Sequence, residues 1–264
     1  MRELTVVLLM LLPLLSGASL AQDSEQDLFS IYGNVYDSEG ELAGATSIKV
    51  GSMNSIWSTD GIYSFDSISP GEHTARAYFM NDGHTVVYRK ISIQSDLEID
   101  WHVHKNWVTF EQEENEDYDS VSVELIQTSE TLHEYSNIGE FGPHEIGRYF
   151  TLLATYDDHN DSTQYVHFRM EAGSSSNPSP NHFHLSYGHN SIYGFLSDLD
   201  GNPVPGVLVS AGERSSLTNS DGFYLLQNLE VGTTQNITAT FWDNELMQST
   251  PVEITDGHGW TNLT

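Results

Sequence analysis

Histidines that alternate along two short segments are the side chains best placed for chemistry. The segment WHVH contains His102 and His104, and the segment HFHLSYGH contains His182, His184 and His189. Residues i and i+2 of a β-strand face the same side, so each His-x-His motif offers two imidazoles together. Imidazoles are common ligands of zinc and copper, and we predict these five histidines as candidate metal ligands. The alternative is that they are solvated on a wet sheet face, because a site needs three or four converging ligands and the sequence supplies pairs.

Three acidic runs offer the oxygen ligands that calcium prefers. They are Glu111 to Asp119, Asp157 to Asp161, and Asp198 to Asn202. None of them matches the full twelve-residue calcium loop. Runs of this kind are also expected as solvated loops in a chain with 38 Asp and Glu against 9 Lys and Arg. We predict no obligatory cofactor, with calcium, zinc or copper as the ions that these residues would hold.

The sequence lacks the residue patterns of the common enzyme classes. It contains no cysteine, which excludes a thiol nucleophile, a zinc-thiolate site and a disulfide framework. It also contains no His-x-x-Glu pair, no Gly-x-Ser-x-Gly motif and no phosphate-binding loop. A pair of carboxylates for glycoside hydrolysis remains an alternative, but nothing distinguishes one pair among so many acids. We therefore predict that the protein is not an enzyme.

The net charge limits the classes of partner, and the N-terminal segment indicates where the protein is located. The formal net charge of -29 repels nucleic acid and anionic lipid, so we expect neither as a partner. Residues 1–21 have the layout of a secretory signal peptide, with small residues before a cleavage site after Ala21, and residues 22–30 form an acidic linker. An uncleaved anchor is the alternative, although the apolar run is short and Pro13 interrupts it. We predict a secreted or extracellular-surface protein without stable membrane insertion after cleavage.

A duplicated unit must position the candidate ligands. The segment TDGIYSFDSISPG, residues 59–71, returns as SDGFYLLQNLEVG at residues 220–232. The two copies keep one offset of 161 positions (222 minus 61) over a series of glycines and one tyrosine, which indicates a repeated structural unit. The matched positions are Gly33, Gly40, Gly51, Gly61, Tyr63 and Gly71 with Gly194, Gly201, Gly212, Gly222, Tyr224 and Gly232.

The pattern within each unit predicts short β-strands separated by turns. Apolar residues alternate with polar ones, and no window after the signal segment repeats apolar residues at helical spacing. Asp60-Gly61 and Asp221-Gly222 suit tight hairpins. We predict an all-β fold of tandem Ig-like or prealbumin-like β-sandwiches at residues 31–104 and 191–264, with a divergent sandwich at 105–190. A different β-rich insertion is the alternative for the middle. Gly173 to Asn181 would be an exposed loop before its last strand.

This pattern resembles the carboxypeptidase regulatory-like domain, a prealbumin-type sandwich that is also grouped with the carbohydrate-binding-like fold. The resemblance covers residues 31–103 and 192–264, and the middle only weakly. It implies an accessory module that acts as a spacer, an adhesive or a structural partner, and it carries no catalytic residues to transfer. The residues that carry it are Tyr32-Gly33, Asp37, Gly40, Gly44, Asp60-Gly61, Tyr63, Phe65 and Pro70-Gly71, and then Tyr193-Gly194, Asp198, Gly201, Pro205-Gly206, Asp221-Gly222, Tyr224 and Gly232.

Together these features predict a secreted or cell-surface, non-catalytic protein that serves as a spacer, adhesive or binding scaffold. Its partners would be extracellular proteins or glycans. One alternative is a module that binds carbohydrate, through some of the five tryptophans, or a metal ion, through the histidines. Another is an accessory subunit of an extracellular hydrolase.

Overall fold

The computed structural model describes residues 27–112, 117–133, 138–240, 246–257 and 259–264. Within these ranges the chain forms β-strands and turns and contains no helix, so the predicted all-β fold is confirmed. No helix in the described part of the chain is long and apolar enough to cross a membrane. The predicted signal peptide, residues 1–21, and most of the predicted linker, residues 22–30, lie outside the described ranges.

The first sandwich consists of two sheets around one apolar cluster. Ile31, Phe79 and Trp101 are among its fully buried side chains. One sheet has the order β4-β1-β7, with β8 pairing β1 further along, and the other has the order β3-β2-β5-β6. The first strand pairs in parallel with the closing strands β7 and β8. The strands are β1 (Phe29–Tyr36), β2 (Thr46–Val50), β3 (Ile56–Ser58), β4 (Ile62–Ile68), β5 (Gly71–Phe79), β6 (Thr85–Ile93), β7 (Leu97–Glu98) and β8 (Trp101–His102).

The middle segment has the same strand order as the first. Its sheets run β12-β9-β15 and β11-β10-β13-β14, and its first and last strands again pair in parallel. Its own cluster includes Phe110, Leu152 and Phe183. The repeated topology therefore extends to a segment in which the sequence shows it only weakly. The strands are β9 (Lys105–Gln112), β10 (Val121–Leu125), β11 (Glu130–His133), β12 (Ile138–Glu145), β13 (Tyr149–Tyr156), β14 (Thr163–Arg169) and β15 (His182–Leu185).

The third sandwich repeats the arrangement once more. Its sheets run β19-β16-β22 and β18-β17-β20-β21, with β16 and β22 parallel. Val209, Tyr224 and Ile237 are among the buried residues between them. The strands are β16 (His189–Phe195), β17 (Leu208–Ala211), β18 (Arg214–Leu217), β19 (Phe223–Glu230), β20 (Thr234–Thr240), β21 (Leu246–Glu253) and β22 (Gly259–Trp260).

The Asp-Gly turns do not form the hairpins that the sequence predicts. Gly61 and Gly222 do adopt positive φ, at 81° and 73°. However, β3 pairs with β2 while β4 pairs with β1, so the turn at Gly61 connects strands of different sheets. The turn at Gly222 likewise connects β18 in one sheet to β19 in the other. These turns carry the chain from one layer to the other, which an antiparallel hairpin within a sheet would not do.

The loop from Gly173 to Asn181 is only partly exposed. Ser174 to Asn177 face solvent, whereas Asn181 is buried. The backbone N–H of Tyr88 in β6 donates to the carbonyl of Ala172 at 2.8 Å, just before the loop. The loop therefore lies against the first sandwich rather than standing free.

The repeated glycine and tyrosine seat the closing strand against the first strand. Gly33 lies opposite Tyr63 in the antiparallel pair of β1 and β4. A Cβ atom on Gly33 would lie 2.1 Å from the carbonyl oxygen of Ile99. The Tyr63 hydroxyl donates to that same oxygen at 2.7 Å, and it accepts a bond from Trp101 Nε1 at 3.1 Å. Burial raises the pKa of Tyr63, so its hydroxyl remains a proton donor.

The third sandwich repeats this contact with its own residues. Gly194 lies opposite Tyr224, and a Cβ on Gly194 would lie 1.7 Å from the carbonyl oxygen of Thr261. The Tyr224 hydroxyl donates to that oxygen. The repeated glycine and tyrosine thus have a structural explanation, because a Cβ at the glycine would overlap the carbonyl and the tyrosine hydroxyl supplies its hydrogen bond.

Replacing Gly33 or Gly194 with alanine should destabilise the sandwich concerned. The added methyl group overlaps a backbone carbonyl that cannot rotate away, and overpacking of this kind costs about 1 to 3 kcal/mol. Urea denaturation followed by circular dichroism measures the loss. The matched control is Gly201→Asn, because Gly201 has φ of 83° with open space around it and asparagine tolerates this conformation. An equal loss in the control variant would contradict the explanation by close approach.

Removing the hydroxyl of Tyr63 should also destabilise the first sandwich. Tyr63→Phe leaves the Ile99 carbonyl and the Trp101 indole N–H without this partner, and an unsatisfied buried polar group costs about 1 to 3 kcal/mol. The midpoint of thermal unfolding measures the effect. Tyr32→Phe is the control, since Tyr32 lies on the same sheet with an exposed side chain. If the two variants unfold at the same temperature, the buried hydroxyl has no structural importance.

Candidate metal centre

Two of the predicted histidines meet a carboxylate on the outer face of the middle sandwich. Glu111 on β9 and His182 and His184 on β15 each offer one ligand atom, and these atoms all lie within 4.8 Å of one another. Among the described residues, this is the one group of at least three His, Asp or Glu side chains with ligand atoms so close. The cluster joins one of the predicted His-x-His motifs to one of the predicted acidic runs.

Strand pairing explains why these side chains converge. Strands β9 and β15 are parallel, with His184 beside Glu111 and His182 beside Thr109. Phe110 and the residue that pairs with it, Phe183, are buried in the core. Because side chains alternate along a strand, the residues on either side of these phenylalanines point to the solvent face.

The distances within the cluster show which atoms of the side chains face one another. His184 Nδ1 lies 2.5 Å from Glu111 Oε1, and His182 Nε2 lies 3.7 Å from Glu111 Oε2. The other ring nitrogen of His182, Nδ1, bonds to the hydroxyl of Thr109 at 2.9 Å. The threonine therefore fixes the ring orientation and leaves Nε2 directed toward the carboxylate.

The two histidines differ in exposure. The side chain of His182 is 30% exposed, whereas that of His184 is 59% exposed. Burial lowers the pKa of His182, and the negative charge of Glu111 acts in the opposite direction. A lowered pKa favours the neutral imidazole, which is the form that coordinates a metal ion. The cluster is thus a partly open site in which burial favours the neutral imidazole of His182.

The other three predicted histidines lie elsewhere and belong to no such group among the described residues. His102 stacks on Tyr36, with ring centroids 4.7 Å apart and planes 14° apart, and burial lowers its pKa. His104 occupies a turn with φ of 60°. His189 Nδ1 contacts the carbonyl of Tyr187 at 2.9 Å. The structure brings together His182 and His184, and it does not join them to these three.

Two contributors to the cluster escaped the sequence analysis. The sequence predicts Glu111 only as the first member of a calcium-binding run, and it does not predict Thr109. The available signal was the alternation in WVTFEQ, which places Thr109 and Glu111 on one face. The parallel partner of this strand cannot be inferred from the local pattern.

The acidic runs are largely explained by turns. Asp198 Oδ1 accepts bonds from the backbone N–H groups of Asp200 and Asn202, at 2.9 and 2.8 Å. Asp37 does the same in the equivalent turn of the first sandwich. Such carboxylates replace missing backbone partners in a turn. Residues 113–116 of the first run lie outside the described ranges.

Asp158 is the most strongly bonded of these carboxylates. It accepts bonds from the backbone N–H groups of Asn160 and Ser162, from the Ser162 hydroxyl at 2.6 Å and from the Tyr187 hydroxyl at 2.6 Å. These bonds, the Ser162 and Tyr187 hydroxyls above all, hold the pKa of Asp158 well below its ordinary value of 3.8.

The tryptophans are distributed over different environments. Trp101 is buried, and Trp107 lies beneath the Arg89 guanidinium at 4.3 Å. Trp57 on β3 and Trp260 on β22 are exposed, but they belong to the first and third sandwiches respectively. Trp242 lies outside the described residues. The four described tryptophans are therefore not one stacking platform.

Comparisons with known proteins do not show a family for this chain. No protein-family model matches the sequence, and no curated protein matches it. Among solved structures, the Bacillus anthracis TIE protein aligns with 89% of this chain and 50% of its own, at 10% identity and a TM-score of 0.24. BcpA, the major pilin subunit of Bacillus cereus, aligns with 90% of this chain and 98% of its own, at 8% identity and 0.22.

A DUF3823 family protein from Bacteroides ovatus aligns with 54% of this chain and 96% of its own, at 14% identity and a TM-score of 0.22. This chain spans half the length of the TIE protein chain. Structural similarities with TM-scores this low do not indicate a function. The resemblance to the carboxypeptidase regulatory-like domain accordingly stays a prediction that rests on the matched residues alone.

Replacing Asp158 with asparagine should lower the melting temperature near neutral pH. A carboxylate with a depressed folded-state pKa contributes stability that is complete above its unfolded pKa and is lost as pH falls through the folded value. The difference between the parent chain and Asp158→Asn should therefore shrink as the pH falls below about 4. Melting curves between pH 7 and pH 2.5 measure it.

Asp161→Asn is the matched control, because it removes the same charge from an exposed position in the same loop. It should change the melting temperature little over the same pH range. If the difference in melting temperature between the parent chain and Asp158→Asn stays constant down to the lowest pH, the bonded charge contributes nothing to stability.

Proposed function

We propose that this protein is a non-catalytic, extracellular scaffold in which three β-sandwiches form a stiff row that serves as a spacer or adhesive. The proposed domains are residues 31–104, 105–190 and 191–264, after the predicted signal peptide and linker. The observation that carries the proposal is a buried asparagine at the start of the second and of the third sandwich. Each asparagine bonds to groups on both sides of a junction.

Asn106 ties the second sandwich to the first. It is the second residue of β9 and is buried. Its amide Nδ2 donates to the carbonyl of Glu171 at 2.8 Å and to the carbonyl of Tyr88, on β6 of the first sandwich, at 3.3 Å. Its Oδ1 accepts from the backbone N–H of Trp107 at 2.9 Å. Three backbone groups from both sandwiches therefore depend on one side chain.

Asn190 holds the equivalent place at the second junction. It is the second residue of β16 and is also buried. Its Oδ1 accepts from the backbone N–H of Tyr165, on β14 of the second sandwich, at 2.9 Å. Its Nδ2 donates to the carbonyls of Thr255, at 3.1 Å, and Gly257 within the third sandwich. A buried side chain with these partners resists sliding of one sandwich on the next.

Charged pairs reinforce both junctions. Arg89 of the first sandwich bonds to Glu140 of the second, and its guanidinium lies over Trp107. Arg169 of the second sandwich pairs with Asp221 of the third at 3.0 Å. Tyr149 also donates to Asp221, at 3.2 Å. Burial and the adjacent Asp221 charge raise the pKa of Tyr149 to about 12, which keeps this donor protonated.

The charge of the chain fits a role in solution outside the cell. The net charge of -29 opposes self-association and favours an extended display of the modules. Extracellular proteins or glycans are the partners that we propose, and nucleic acid and membrane lipid are not.

Replacing Asn106 or Asn190 with alanine should loosen one junction and leave the sandwiches folded. The change leaves several backbone groups without their partners, at about 1 to 3 kcal/mol for each buried group. Because the chain has no cysteine, spin labels can be placed at Ser64→Cys and Thr131→Cys for the first junction. Ser215→Cys replaces Ser64→Cys, with Thr131→Cys retained, for the second. Electron–electron distance measurements should give narrow distributions in the parent chain and broad ones in the variants.

Asn54→Ala is the control, because Asn54 is exposed in a turn of the first sandwich. It should leave both distance distributions narrow. Broad distributions in the parent chain would overturn the stiff scaffold, whatever the variants show.

A further inference from the structure

We propose that Glu111, His182 and His184 form a binding site for one divalent transition-metal ion, with zinc as the expected occupant. This site is independent of the scaffold function, because it lies on the outer face of a single sandwich and contributes no atom to either asparagine-bonded junction.

The donor atoms need only small movements to hold zinc. Zinc binds imidazole nitrogen and carboxylate oxygen at about 2.0 to 2.2 Å, which in a tetrahedron places ligand atoms roughly 3.3 Å apart. His182 Nε2 and Glu111 Oε2 are 3.7 Å apart, so they must approach slightly. His184 Nδ1 and Glu111 Oε1 are 2.5 Å apart and must separate. The two distances involve different oxygens of Glu111, so an ion bound through one oxygen also requires the carboxylate to rotate. One ligand atom from each of the three residues lies within 4.8 Å of the others, at a partly exposed surface.

One ligand is already oriented before an ion arrives. The hydroxyl of Thr109 bonds to Nδ1 of His182 at 2.9 Å, so Nε2 is the nitrogen that remains for a metal. Outer hydrogen bonds of this kind fix ring orientation in metal sites and contribute to affinity. His184 lies two residues further along the same face of the strand. It is more exposed and supplies the third ligand. A fourth position faces solvent and would hold water.

The surrounding charges leave the site available to a cation. The positive charge of Lys90 acts on His182 and Glu111, but its Nζ pairs with Glu72 at 2.8 Å, and that carboxylate offsets part of the charge. The chain as a whole carries a net charge of -29, which raises the local concentration of cations. Two imidazoles favour zinc over calcium and magnesium, because the latter ions prefer oxygen ligands throughout.

Calorimetric titration of the full chain, purified without a polyhistidine tag, tests the proposal. Zinc chloride should bind with a stoichiometry of one, and calcium and magnesium chloride should give no binding at the same concentrations. His182→Ala, His184→Ala and Glu111→Gln should each weaken zinc binding by roughly 100-fold or more, given that outer partners alone contribute 10- to 100-fold. Thr109→Val should weaken it by roughly 10-fold.

His133→Ala is the matched control, because His133 is an exposed strand histidine in the opposite sheet of the same sandwich. It should bind zinc as the parent chain does. Nitrogen NMR of the imidazoles provides a second readout that does not depend on affinity, and zinc should shift His182 Nε2 and His184 Nδ1 selectively. The proposal is overturned if the parent chain binds no zinc, if Glu111→Gln binds as tightly as the parent, or if the shifts appear at other histidines.

Discussion

The contact on which the fold depends is a backbone carbonyl held between a glycine and a tyrosine. In the first sandwich the carbonyl of Ile99 meets Gly33 and the Tyr63 hydroxyl, and in the third the carbonyl of Thr261 meets Gly194 and Tyr224. This contact seats a very short closing strand, of two residues in β8 and in β22, beside the first strand. Strands so short have few ladder bonds of their own, so the side-chain bond and the close approach determine their position. The first closing strand leads within two residues into the next sandwich, and its placement therefore also sets the junction.

The middle sandwich closes in a different way, and the candidate metal centre lies where it diverges. Its closing strand β15 has four residues and pairs along β9 through the buried Phe110 and Phe183. Histidines on the closing strands of the two sandwiches have different partners. His102 on β8 lies beside Tyr36 and stacks on it, whereas His184 on β15 lies beside Glu111 and contacts its carboxylate. The residue across the parallel pair thus decides whether a strand histidine packs on a ring or becomes a potential ligand.

Each junction of this acidic chain contains one arginine that pairs with a carboxylate. Arg89 and Arg169 lie at the two junctions, each bonded to a carboxylate of the next sandwich. Asparagines at matched positions complete the junctions with bonds to backbone groups, which do not depend on ionic strength as exposed ion pairs do. A neutral, buried amide is therefore a connection that salt weakens less than an exposed ion pair.

The sequence by itself determined the all-β class, the repeated unit and the inward face of its strands. The constant spacing of glycines and the alternation around Tyr63 and Phe65 were sufficient, because both are local properties of the chain. The sequence also predicted His182 and His184 as ligands. It did not show that they lie beside Glu111 or that His102 lies elsewhere. The sequence pattern predicts that the Asp-Gly turns are hairpins, whereas in the structure they cross between layers. Only the tertiary structure decided these points. Alternation fixes which way a side chain points, whereas the neighbouring strand, here about 70 residues away in β15, is chosen by packing of the whole sandwich.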